Sequence, residues 1–196
     1  PGERELVFPD VMFGFLDVRP WNQADEPWQR LVGAKGKVKI PAGMEVRLEV
    51  APEVGDLSAL GNLDMQAIHT LILNGSAIND ASMDGVAKLR GLLCFELNRT
   101  MITDTGLGKL FRNTALQELR LSETRVTDNG MELFKKLPQL TRLEFDGAPG
   151  VTTRSLPLFR NLHVLRRLHL GGCNIAQEDI NQLSRDMAGC AVTPKI

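Results

Sequence analysis

The densest set of side chains able to do chemistry lies in residues 163–169, where His163, Arg166, Arg167 and His169 stand in one short run. Guanidinium groups at this density suit a carboxylate or a phosphate, because each presents a planar fork of donors. Arg142 joins them if positions 142 and 167 are equivalent in successive units, with Glu144 the one acid nearby. Asp80, Asp104 and Asp128 recur at a 24-residue spacing. Such a row could suggest calcium, but that ion needs several oxygens converging on one point. Helix capping fits the row better: each Thr/Asp would satisfy free N–H groups at the start of its own helix and favour the positive end of its dipole.

Other reactive constellations are missing. The chain has no G-x-S-x-G and no H-E-x-x-H, and Gly33-Ala34-Lys35-Gly36-Lys37 lacks the spacing and hydroxyl of a phosphate loop. Its three histidines have no evident triad partners, and there is no Tyr. The reading is therefore a non-enzyme with no cofactor and no metal. Cys94, Cys173 and Cys190 are an odd number without ligand spacing, so they read as packing thiols and leave the compartment open. Asn74-Gly75-Ser76 and Asn98-Arg99-Thr100 match the glycosylation pattern, but both fall at the same place in a repeat, which explains them. The net charge of −1 offers no basic surplus for nucleic acid. No apolar run approaches the ~20 residues of a membrane span, and no leader is visible. Starting on Pro1, the chain reads as a processed or trimmed piece whose oligomeric state is open.

The elements that must position these residues come from self-similarity. Leu92, Phe95, Leu97, Thr100, Ile102, Asp104 and Leu107 recur 24 places later as Leu116, Leu119, Leu121, Thr124, Val126, Asp128 and Met131. A fixed period of this kind marks a repeat architecture. Units begin at Ile68, Leu92, Leu116, Leu140 and Leu165. Each starts with an L-x-x-L-x-L strand, then a turn, then an apolar-faced helix such as Met83/Val86/Leu89, Leu107/Leu110/Phe111 or Met131/Phe134/Leu137. Val192 would begin a sixth strand, which Pro194 would end. The extra residue near Pro149-Gly150 predicts an irregular loop over 146–153.

Residues 1–55 read differently. Five of the ten aromatic residues lie there, and two alternating runs, Val38/Ile40 and Met44/Val46/Leu48/Val50, flank Pro41-Ala42-Gly43. That spacing predicts a hairpin. Trp21 or Trp28 could also offer a small polar molecule an aromatic surface. The expected organisation is a β-rich cap over 1–55 and a repeat array over 56–196, closed by the final strand.

The string T-x-(I/V)-T-D-x-G-(L/M), at Thr100–Leu107 and Thr124–Met131, and the L-x-x-L-x-L strand resemble the leucine-rich repeat family. Within that family the string looks like the bacterial branch with GALA-type or cysteine-containing-like repeats. The early Phe8-Pro9 and the stretch 33–46 are similar to segments that precede such repeats in planctomycete-type proteins. The resemblance implies an α/β right-handed solenoid, parallel sheet inside and helices outside, that recognises a protein.

Stacked units turn sequence positions into columns. One column of outward residues is Ile72, Glu96, Arg120, Glu144 and His169, and its neighbour is Thr70, Cys94, Glu118, Arg142 and Arg167. Opposite charges alternate across them, which suits either a self-satisfied ladder or a recognition face. The candidate protein-binding residues are Glu96, Glu118, Arg120, Arg142, Glu144, Arg166, Arg167 and His169. The expected function is a non-catalytic interaction module binding a protein through its concave face. The alternative is a structural or regulatory segment of a larger protein.

Overall fold

The computed structural model describes residues 2–75 and 77–194, and the side chain of Phe111 lies outside the described set, as does Ser76. Eleven strands occur among the described residues: β1 (Arg4–Val7), β2 (Gly14–Pro20), β3 (Gln29–Gly33), β4 (Lys37–Ile40), β5 (Met44–Val50), β6 (Thr70–Ile72), β7 (Cys94–Glu96), β8 (Glu118–Arg120), β9 (Arg142–Asp146), β10 (Arg167–Gly171) and β11 (Ala191–Thr193). Nine form one sheet in the order β11-β10-β9-β8-β7-β6-β5-β2-β3. From β5 to β11 every pairing is parallel, while β2 pairs antiparallel with β5 and β3.

The repeat strands form where the leucine pattern places them. Leu71, Phe95, Leu119, Leu143 and Leu168 are buried at equivalent positions, and so are Leu73, Leu97, Leu121, Phe145 and Leu170. The ladder extends past the short strands: Leu73 donates to Glu96 carbonyl, Leu97 to Arg120 and Leu121 to Glu144, each at 2.9 Å. On the core face lie the helical turns. Their inward residues Met83, Val86, Leu107, Leu110, Met131, Phe134, Phe159 and Leu183 join the strand leucines in one core. The rings of Phe134, Phe145 and Phe159 meet at 6.1 Å, tying two helical turns to β9. Most turns are short and tight, such as Met83–Val86 and the nine-residue 3-10 stretch Asp128–Lys136, because a 24-residue unit leaves few residues after its strand and two bends. The last helix, Gln177–Asp186, is the exception at ten residues.

One local expectation changes and another holds. The hairpin over Pro41-Ala42-Gly43 does not form, because β4 pairs with β1 in a separate two-stranded sheet while β5 has both edges taken, by β2 and by β6. The segment is a corner, made by a proline without an N–H and by Gly43 at φ 74°. The loop over 146–153 is irregular as its spacing predicts: Gly147 at φ 65° takes the left-handed place that Arg99 and Glu123 hold in earlier units, but the buried Val151 follows one residue later than Ile102 and Val126 do. The extra residue lies within Ala148–Gly150, where Ala148 is buried, Val151 donates to its carbonyl, and the Gly150 carbonyl accepts from Asp128 N–H at 3.1 Å.

Candidate functional site

Strand alternation leaves one face of the sheet polar, and lateral pairing converts it into two continuous rows. One row runs Asp17, Arg47, Thr70, Cys94, Glu118, Arg142, Arg167, Ala191. The other runs Phe15, Glu49, Ile72, Glu96, Arg120, Glu144, His169, Thr193. Adjacent strands lie ~4.8 Å apart, so neighbours in a row are within side-chain reach.

Arg120 stands at the centre. Its guanidinium pairs with Glu96, with Glu144 at 3.0 Å and with Glu118 at 3.7 Å. Arg142 reaches Glu144 at 2.5 Å and Glu118 at 4.0 Å. Three carboxylates thus share two cations. Burial raises the Glu96 carboxyl above its ordinary value, and repulsion from Glu144 and Glu118 adds to that rise, against the pull of Arg120. Burial works against the charge on Arg120, and the surrounding glutamates more than offset it, so its pKa is raised. The mutual pairing holds the buried Glu144 and the half-buried Arg120 in place.

The rows do not end where the repeats begin. Asp17, 2% exposed, is held between Arg30 at 2.6 Å and Arg47 at 2.8 Å. Trp28 lies between Arg19 and Arg47, whose guanidinium carbons are 4.3 and 5.0 Å from its ring centre. Arg19 in turn pairs with Glu45 at 2.7 Å. Asp17, Arg19, Arg30, Glu45 and Arg47 belong to the same polar face and were missed from the sequence, whereas Trp28, a candidate ligand surface there, is covered by two arginines. The signal was there: Glu45, Arg47 and Glu49 alternate with Val46, Leu48 and Val50, so one period-two strand carries both faces.

Of the eight candidates, Glu96, Glu118, Arg120, Arg142, Glu144, Arg167 and His169 lie in the two rows. Arg166 does not. It precedes β10 with the parity of Leu168, is exposed, and donates weakly to the His163 and Leu165 carbonyls at 3.4 Å. His169 is buried, with Nδ1 3.0 Å from the Thr193 hydroxyl oxygen. Elsewhere, His69 Nδ1 accepts from Val46 N–H at 3.0 Å, and Trp21 packs edge-on against that imidazole. Burial, with help from Arg4, pushes His69 down to about 4. Trp21 and His69 line a cavity of about 530 Å³ with Arg4, Asp64 and Gln66. Among the described residues no cluster of His, Cys, Asp and Glu is arranged to hold a metal, and no helix is long and apolar enough to cross a membrane.

The aspartate row is a correction. Asp80, Asp104 and Asp128 do not cap their own helices; each reaches forward to the next unit. Thr103 donates its N–H to Asp80 at 2.8 Å and its hydroxyl at 2.6 Å, and Thr127 and Thr152 repeat both distances to Asp104 and Asp128. The threonines are the caps, each accepting from the N–H two residues on. This also accounts for the glycine in T-D-x-G. A Cβ on Gly130 would lie 2.5 Å from Asp104 Oδ1, and one on Gly106 would collide with Asp80. In the next unit Ser155 stands there instead, and its hydroxyl donates to Asp128.

Residues 112–135, which hold β8 and the Thr127/Asp128 pair, match a family model described as Leucine Rich repeat. Internalin C2 of Listeria monocytogenes is similar in structure, with a TM-score of 0.53 at 20% identity over 73% of this chain and 57% of that one. The chain has an α/β fold of leucine-rich repeat type. A second internalin from the same organism aligns over 70% of this chain and 57% of its own, at 17% identity and a TM-score of 0.40. The chain thus spans little more than half the length of either internalin. No curated protein matches it. The segments between β6 and β11 share one core and one sheet.

Proposed function

We propose that the chain is a non-catalytic protein-interaction module that binds through the polar face of its sheet, the concave side of a right-handed solenoid. The observation that carries this reading is the pair of laterally registered rows, in which Glu96, Glu118, Arg120, Arg142 and Glu144 hold one another in position before any partner arrives. A pre-ordered charge pattern gives specificity and loses little side-chain entropy on binding. The handedness follows from the strong preference of parallel crossovers for the right-handed path. Residues 1–55 act as the cap of the array, continuing its sheet through β5, β2 and β3. The repeated T-D-x-G string supports the finer kinship with GALA-type or cysteine-containing-like bacterial repeats, and residues 33–46 the planctomycete likeness.

The test uses peptides selected from a random displayed library on the immobilised full chain. Ile72, half-exposed in the second row and outside the ion pairs, is replaced by arginine. Ile72→Arg weakens binding about tenfold or more, whereas Lys136→Glu, an exposed change on the helical side, leaves it unchanged. The reverse pattern removes the polar face from consideration.

A second reading, a structural or regulatory segment of a larger protein, is favoured by the exposed Val11, Met12, Phe15 and Val32 near the outer edge of β3. Slow hydrogen exchange of the β3 amides in a longer polypeptide, and fast exchange in this one, would select it.

A further inference from the structure

We propose that the cleft over β9, β10 and β11 receives a single carboxylate from an acidic segment of a protein partner, with Arg167 as the cation that meets it. This deepens the interaction reading and rests on it.

Charge pairing singles out the position. Six arginines stand on the polar face, and five of them, Arg19, Arg30, Arg47, Arg120 and Arg142, have a carboxylate within 4.0 Å. Arg167 is exposed and has no anion among the described residues. Its register partners make its position worse. On one side it faces Arg142, and on the other Ala191, which brings no charge. Like charges directly opposite one another on adjacent strands are destabilising, and an external carboxylate would convert that repulsion into attraction.

Shape agrees with charge. Because Ala191 is small, a cleft of about 310 Å³ opens beside Arg167, walled by Arg142, Glu144, His169 and Thr193. Its rim is fixed by the contact of His169 Nδ1 with the Thr193 hydroxyl. The charge count sets the ligand class: with Glu144 already paired to Arg120 and Arg142, one guanidinium is left to match one singly charged carboxylate, whose methylene stem lies along Ala191.

The experiment selects peptides from the same library on the full chain, then makes each with its Asp and Glu replaced by Asn and Gln. Selected peptides carry at least one acidic residue, amide replacement lowers affinity about ten- to a hundredfold, and added salt weakens binding. Arg167→Glu loses these peptides, Arg167→Ala gives the same direction, and Arg167→Lys retains part of the affinity. An unchanged melting temperature in each variant separates lost binding from lost fold. If the amide forms bind equally, or Arg167→Glu changes nothing while Ile72→Arg abolishes binding, the carboxylate site is wrong and the interaction face stands. If neither Arg167→Glu nor Ile72→Arg alters binding, or no peptide is enriched, both readings fall.

Discussion

Replacing Asp128 with alanine tests how the units are held together. The Asp128 carboxylate accepts the Thr152 N–H at 2.8 Å, the Thr152 hydroxyl at 2.6 Å and the Ser155 hydroxyl, all from the following unit. A hydrogen bond to a charged group contributes ~1.5–3 kcal/mol net. Asp128 is half-buried and partly screened, and the freed Thr152 hydroxyl can turn to water, while the fully buried Ser155 hydroxyl loses its acceptor, so the combined loss should be about 2 kcal/mol. In a protein of this size that lowers the melting temperature by about 4–8 °C. Urea unfolding at neutral pH measures it directly, with a shifted midpoint and an unchanged slope. Asp128→Asn should fall between, because it keeps one acceptor and loses the charge.

The pH dependence gives an independent check. Burial tends to raise the Asp128 carboxyl, but the Ser155 and Thr152 hydrogen bonds and Arg154 outweigh it, and its pKa lies below the ordinary 3.8. A carboxylate depressed on folding contributes stability above its unfolded pKa and loses it as pH falls through the folded one. The gap between wild type and Asp128→Ala should therefore be full at neutral pH and close below about pH 4. A gap under about 0.5 kcal/mol, or one that persists undiminished in acid, would refute the forward-reaching aspartate as a structural tie.

His69 gives the opposite probe. Its folded pKa of about 4 lies under the unfolded value of 6.5, so the unfolded chain takes up a proton first and stability should fall by about 3 kcal/mol between pH 6.5 and 4. Urea unfolding of His69→Gln across that range should lack this component, and an equally steep loss would reject it. Cys94 is pushed up to about 12 by burial and by Glu118 and Glu96, so its thiol should ignore a disulfide reagent at pH 8 and react only on unfolding. Rapid modification of Cys94 in the native protein, read by mass spectrometry, would contradict that environment.

The internalin likeness and the family match concern the repeated backbone, and that part was legible. Leu71, Phe95, Leu119, Leu143 and Leu168 are buried as their spacing requires, because a side chain's place on a strand or helical turn depends on a period of a few residues. The lateral pairs Glu96 with Arg120 and Arg120 with Glu144 were legible too, since equal spacing within units becomes adjacency between them. Less legible was the amino-terminal sheet. Pro41-Ala42-Gly43 has hairpin chemistry, yet whether β5 pairs with β4 depends on which edges compete for it, and β2 and β6 win both. The aspartates were misread for a related reason. A Thr-Asp dipeptide before a helix permits a local cap, and only packing a further unit alongside brings Thr103, Thr127 and Thr152 within reach of the preceding carboxylates.

By itself, then, the order of residues determined the repeat length, the buried positions and the alignment of the charged columns, all properties that recur over short distances along the chain. Tertiary structure alone decided which of several competing partners each charge meets. Glu144 takes both Arg120 and Arg142, Asp17 takes Arg30 and Arg47, and Arg167 meets no acid among the described residues. An ion pair forms by distance and competition in space, and the groups that compete here come from strands whose separation in sequence carries no information about reach.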